Sequence, residues 1–158
     1  MTDVAVAAPL LVTGDTPTTV RPERIPAHAF HRHDGAVTSD RTREHGSSVE
    51  VASAGRTAWT SYSRLDVEGV TGVTLVAARR ALPAWGPTSV RLDVRPSGGG
   101  DADWRAFTAE VEVPDGGRYD WQDLALPVLD APGLDRRDVD LRLQLTGAAR
   151  VAEIRLTR

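Results

Sequence analysis

The chain predicts an all-β fold, a jelly-roll β-sandwich of two antiparallel sheets, and three observations lead there. Between Ala58 and Val128 the sequence reads as successive runs in which apolar and polar residues alternate, the period of a strand with one face buried. Gly, Pro and Asp break these runs at intervals of roughly ten to fifteen residues, the spacing of short strands joined by turns. No long apolar stripe at helical spacing competes with them. At 158 residues, 41% of them hydrophobic, the chain is the size of one domain and long enough to bury a core.

Taken in order, residues 1–23 read as an N-terminal strand or linker segment and residues 24–158 as the sandwich. The run VAVAAPLLV (4–12) follows Thr2 and Asp3 with no positive region before it. It is too short to span a bilayer, so it reads as a strand or linker and not as a signal peptide. Pro17 and Pro22 then discourage helix in an extended connector. RIPAHAF (24–30) is the opening strand, and His31 to Ser48 is a long polar loop with room for a short turn of strand. Strands follow at 49–53, 58–67 and 72–79. In 89–95 Val90, Leu92 and Val94 share one face, and Arg91, Asp93 and Arg95 share the other. Phe107, Ala109, Val111 and Val113 repeat the period, and so do Leu141, Leu143 and Leu145. Ala152, Ile154 and Leu156 close the chain. The best helix candidate, 134–140, is short.

Composition narrows the function. Net charge is −3 and the 19 basic residues, all arginine, are scattered, so no basic stripe points to nucleic acid. Cysteine is absent, which removes disulfides, thiol nucleophiles and thiolate metal sites together. No GxSxG elbow, phosphate-binding glycine loop or HExxH motif is present, and no pair of carboxylates sits in a context that would raise a pKa. The chain reads as no enzyme.

Four segments, AWTSY (58–62), VTLVAAR (73–79), SVRLDV (89–94) and VEVPDGGRYDWQDLALPV (111–128), resemble in order and spacing the family 6 type carbohydrate-binding modules. The resemblance covers residues 24–158 and implies the same two-sheet jelly roll. It also implies a non-catalytic module that docks a neighbouring catalytic domain onto a polysaccharide or oligosaccharide. As part of a larger protein it would be extracellular, with its signal outside this chain and no membrane or nucleic-acid partner. Two other readings stay open: a degenerate sandwich with a structural or oligomerisation role, and a piece of a polysaccharide-active enzyme.

A sugar ring has an apolar face and a rim of hydroxyls, so its site needs an aromatic platform flanked by polar side chains. The resemblance implies two locations. One is a loop edge, where the family's platform Trp is replaced by Arg118, followed by Tyr119. These two are suited to an acidic sugar or form a solvated turn. The other is the concave face of one sheet, where the family's aromatic is Trp59, with Ser61 beside it and Arg91 and Asp93 on the neighbouring polar face. There Trp59 is a platform or packs under the N-terminal segment. Tyr62 and Trp121 read as core, and Trp85 and Trp104 as loop anchors or ligand contacts.

Family members hold a structural calcium on the first strand. The matching residues here, Ile25 to His28, lack the carboxylates, which leaves Glu153 and Asp34 as candidate calcium ligands. His28, His31 and His33 with Asp34 raise a transition-metal reading, against which stands their place at a strand end entering a polar loop.

Overall fold

The computed structural model describes residues 18–39, 46–53, 56–79 and 85–158. The apolar run 4–12, most of the Thr/Pro connector and parts of three loops lie outside them. Twelve strands follow in chain order: β1 Arg24–Pro26, β2 Arg32–Asp34, β3 Ala36–Ser39, β4 Ser48–Val51, β5 Thr57–Leu65, β6 Gly72–Arg79, β7 Ser89–Pro96, β8 Arg105–Ala106, β9 Val111–Glu112, β10 Gln122–Pro127, β11 Val139–Thr146 and β12 Ala149–Thr157. They form two antiparallel sheets. One runs β2-β5-β11-β7-β8, with β9 also on β7; the other runs β10-β6-β12-β4-β3, with β1 also on β12.

Alternation decides which residues meet between the sheets. Leu141, Leu143 and Leu145 of β11, Val90, Leu92 and Val94 of β7, and Leu75 and Ile154 opposite them are all buried in one core cluster. At about 25 cal/mol per Å² of apolar surface removed from water, this layer is the main stabilising contribution to the fold. Tyr62 joins it, as the sequence led us to expect. Its hydroxyl donates to the Ala27 carbonyl at 2.7 Å and contacts Thr60 Oγ1 at 2.9 Å.

Four sequence expectations change. The His31–Ser48 loop contains two strands, β2 and β3, one for each sheet. The opening strand stops at Pro26 and turns through Ala27 and His28. The 107–113 run is not one continuous strand: β8 ends before it at Ala106 and β9 takes up only Val111–Glu112, and their registers on β7 differ, with Ala106 facing Asp93 and Val111 facing Val90. The extra residues bulge where the Phe107 and Thr108 N–H groups both donate to the Leu92 carbonyl, and Thr108 Oγ1 accepts the Leu92 N–H at 3.0 Å. Finally, residues 134–138 form turns in place of a helix. The Asp135 carboxylate takes the Arg137 N–H at 3.0 Å, a local bond that competes with helical pairing.

The end of the N-terminal segment is tied to β5. Val20 bridges Leu65 in parallel, exchanging bonds with Arg64 and Asp66. Nearby Arg64 takes a left-handed conformation, φ 61°, where the β5–β11 register shifts between Val139 and Leu141. Among the described residues no helix is long and apolar enough to cross a membrane.

Candidate functional site on the outer face of the β5–β11–β7 sheet

Strand register brings five of the candidate residues, Asp34, Trp59, Ser61, Arg91 and Asp93, onto one surface. Asp34 pairs with Trp59, Trp59 with Gln144, and Gln144 with Arg91, so these four form one row across the sheet. The next row is Arg32, Ser61, Arg142, Asp93 and Ala106. Partners in antiparallel register share a face. Because Leu141, Leu143 and Leu145 point inward, this face points outward.

The second row is organised around a buried carboxylate. Asp93 is 3% exposed. Its Oδ1 accepts from Arg91 Nε at 3.2 Å, and its Oδ2 accepts from Arg142 Nη2 at 2.8 Å and Gln144 Nε2 at 2.8 Å. A third row repeats the device with the charges exchanged between strands. Asp140 of β11 stands opposite Arg95 of β7, whose Nε donates to Asp140 Oδ2 at 3.0 Å. Arg142, Asp93, Arg95 and Asp140 thus form a square of alternating charge. It is held rigidly because each carboxylate satisfies several donors at once.

Trp104 covers this square. Its ring centroid lies 4.4 Å from the Arg95 guanidinium carbon and 4.6 Å from that of Arg142. The loop before it makes this possible: Gly98 has φ +76°, and the Gly100 N–H donates to Asp103 at 2.8 Å, turning the chain back over the sheet. From the sequence Trp104 reads as a loop anchor or a ligand contact. Its proximity to a glycine-rich loop was visible, but the direction of that loop was not.

Among the described residues the face is shallow, with Ser61 and Asp93 buried in it. Trp59 is half-buried, Arg91 keeps 39% of its side chain exposed, and the depression lined by Val90, Arg91, Glu110, Gln144 and Thr146 holds only about 20 Å³. Guanidinium and amide donors border one side of Trp59. The exposed carboxylate of Asp34 stands on the other, and Glu110, bonded to Ser89, lies at the far edge. Such a surface offers an aromatic plane between donors and acceptors to an extended polar chain, and no enclosed reaction chamber.

Arg118 and Tyr119 lie elsewhere. The Arg118 carbonyl accepts from Arg150 of β12, in the other sheet. Arg150 is fully buried although it alternates outward from Ala149 and Val151, because Tyr119 and Trp121 cover its guanidinium at 5.5 and 5.1 Å. Ser48 Oγ also accepts from it, at 3.3 Å, and Glu50 stands 3.8 Å away. Tyr119 is itself 37% exposed, with the Arg118 guanidinium 5.4 Å from its centroid. The expectation that Trp121 belongs to the core is corrected here. Leu124 and Leu126 point inward, and Trp121 is out of phase with them, so it packs on Arg150 at the outer surface. Trp85 packs against the core from its loop.

The candidate metal ligands are not brought together. Asp34 lies on the outer face beside Trp59, whereas Glu153 is on β12 of the opposite sheet, paired with Pro26. Glu153 is already engaged: Arg155 Nε approaches its carboxylate at 2.6 Å and Arg24 at 3.9 Å, and Arg155 also reaches Asp123 at 3.4 Å. Glu153 holds the Arg155 guanidinium above its usual pKa. Two guanidiniums where a cation would sit do not fit a calcium ion. His31 Nδ1 accepts the Ser63 N–H at 3.1 Å, and His33 packs edge-on to Phe30. Among the described residues no group of three or more His, Asp or Glu is placed to hold a metal ion.

No family model matches the chain, and no curated protein does. Solved structures do match. A β-1,3-glucan-binding family 6 module from Bacillus halodurans superposes with a TM-score of 0.66 at 19% identity, over 90% of this chain and 100% of that one. A family 6 module from Clostridium stercorarium, solved with cellobiose, gives 0.64 at 19% identity, over 90% and 98%. One from the Cellvibrio mixtus lichenase 5A, solved with cellotriose, gives 0.58 at 19% identity, over 85% and 95%. At this identity the likeness is one of architecture, and it spans nearly the whole of both partners: the chain has the β-sandwich fold of the family 6 carbohydrate-binding modules.

Proposed function

We propose that the chain is a non-catalytic carbohydrate-binding module that takes a polysaccharide or oligosaccharide on the outer face around Trp59. The observation that carries this is the row Asp34–Trp59–Gln144–Arg91, an aromatic plane set by register between acceptor and donors on a shallow surface. The Trp59 ring stacks on the apolar face of a sugar, Gln144 and the Arg91 guanidinium donate to hydroxyls, and Asp34 accepts from them. Neighbouring structures solved with cellobiose and cellotriose support a short glucan as the ligand class. In this reading the module holds an associated catalytic domain on its polysaccharide outside the cell.

Affinity electrophoresis against a panel of soluble β-glucans and xylans tests it, with Trp59→Ala beside the wild type. Retardation by at least one glycan, weakened about thirtyfold in the variant, is the expected result, since a buried aromatic anchor contributes about 2 kcal/mol. Equal mobility of both proteins across the whole panel contradicts it and leaves a sandwich with a packing or oligomerisation role.

A further inference from the structure

The outer face carries a second aromatic, and its place relative to Trp59 is set by the strand register. Moving one strand over and two residues along from Trp59 reaches Arg142; repeating the same step reaches Arg95. These three positions lie on one diagonal. With strands ~4.8 Å apart and residues rising ~3.3 Å, Arg142 is about 8 Å and Arg95 about 16 Å from Trp59. The Trp104 ring lies against both guanidiniums, at 4.6 and 4.4 Å, so it stands over the Arg142–Arg95 end of this diagonal, whose backbone positions are about 8 to 16 Å from that of Trp59.

Between the two rings the diagonal holds only polar side chains. Ser61 and Arg142 are paired across β5 and β11, and Gln144 and Asp93 flank them. Trp104 is half-buried, so part of its surface remains open. That square fixes the ring. Asp93 and Asp140 hold Arg142 and Arg95, and the two guanidiniums hold Trp104. A pre-placed aromatic loses little side-chain freedom on binding, which is what a platform needs.

We propose that Trp104 is a second sugar platform, and that Trp59 and Trp104 together make a diagonal track that selects chain length. This rests on the reading of the face as a glycan site and adds a ligand class to it. A β-linked hexose advances its chain by roughly one strand spacing, ~5 Å, so a backbone separation of about 8 to 16 Å is roughly two to three such steps. A chain of three or four units reaches both rings, one end stacking on each. A disaccharide reaches one ring only.

The test is a calorimetric titration of the wild type, Trp59→Ala, Trp104→Ala and Trp104→Leu with cello- and laminari-oligosaccharides of two to six units. Leu keeps an apolar cover on the charge square without offering a plane, and melting curves verify that each variant is folded. In the wild type, affinity is expected to rise about tenfold from the disaccharide to the tetrasaccharide and then level off. Both Trp104 variants are expected to lose that rise while binding the disaccharide within about twofold of wild type. Trp59→Ala is expected to lose affinity at every length. A rise with length that survives in folded Trp104→Leu overturns the proposal, and so does a wild-type affinity that is flat from two units to six. If wild type binds no member of either series, the reading of the face fails first, independently of any Trp104 variant.

Discussion

Asp93 shows how a single side chain serves both fold and surface. Its carboxylate is nearly inaccessible yet lies on the outer side of the sheet, held by Arg91, Arg142 and Gln144. Asp93→Ala leaves two guanidiniums and an amide facing a void, and is expected to lower stability by about 2 to 3 kcal/mol in chemical denaturation. Trp59, Ser61, Arg91 and Asp93 were legible as one face because strand period is two. The burial of Asp93 was not, because it depends on side chains of two strands, Arg91, Arg142 and Gln144, converging on its carboxylate.

Tyr62 is the residue with the clearest pH signature. Burial pushes its phenol well above the usual 10.0, with the Thr60 hydrogen bond opposing in part. A folded pKa raised above the unfolded one favours the protonated, folded form. The contribution is therefore complete below about pH 10 and is lost as pH rises through and beyond it. Tyr62→Phe is expected to cost about 1 kcal/mol near neutrality, through its lost bonds, and to flatten the alkaline decline in thermal midpoint above pH 10. An alkaline decline as steep in the variant as in wild type contradicts this assignment.

At the scale of elements, the long strands were legible and the short or interrupted ones were not. β6 falls where alternation places it, 72–79, and β5, β7 and β11 come within two residues of their expected cores. The 107–113 run has the same alternation but carries extra residues opposite β7, and only the partner strand reveals that as a bulge. The turn joining β11 to β12 has one strict requirement. Gly147 has φ +68°, and a Cβ there would run into the Pro87 carbonyl and Thr88 Oγ1. Gly147→Ala is expected to destabilise by more than about 1 kcal/mol, read as a lowered midpoint in urea with an unchanged slope. Its flanking strands are the central partners of both sheets, so the loss propagates to the whole sandwich.

For the molecule as a whole, the two sheets divide the work. The β10-β6-β12-β4-β3 sheet buries Arg150 under Tyr119 and Trp121 and engages Glu153 with Arg155 and Arg24, so its polar outer groups are spent on one another. Among the described residues, the β2-β5-β11-β7-β8 sheet leaves Trp59 half-buried on its outer face. Because guanidiniums occupy the carboxylate of Glu153, the thermal midpoint is expected to change by less than a degree or so between excess calcium and excess chelator. By contrast, a calcium concentration 100 times its dissociation constant would stabilise a bound state by ≈ 2.7 kcal/mol. The loop-edge substitution of Arg118 was plain in the sequence. That it lies beside a buried arginine of the last strand was not, since residues 118 and 150 meet only through the fold.

The central claim, that glycan binds the outer face around Trp59, is tested most directly by mapping amide and indole chemical shifts during titration with cellotetraose. The account predicts perturbations confined to the Trp59 indole, the Gln144 amide and their row neighbours, extending to the Trp104 indole. Perturbations centred on Tyr119 and Trp121, with Trp59 unmoved, would contradict it.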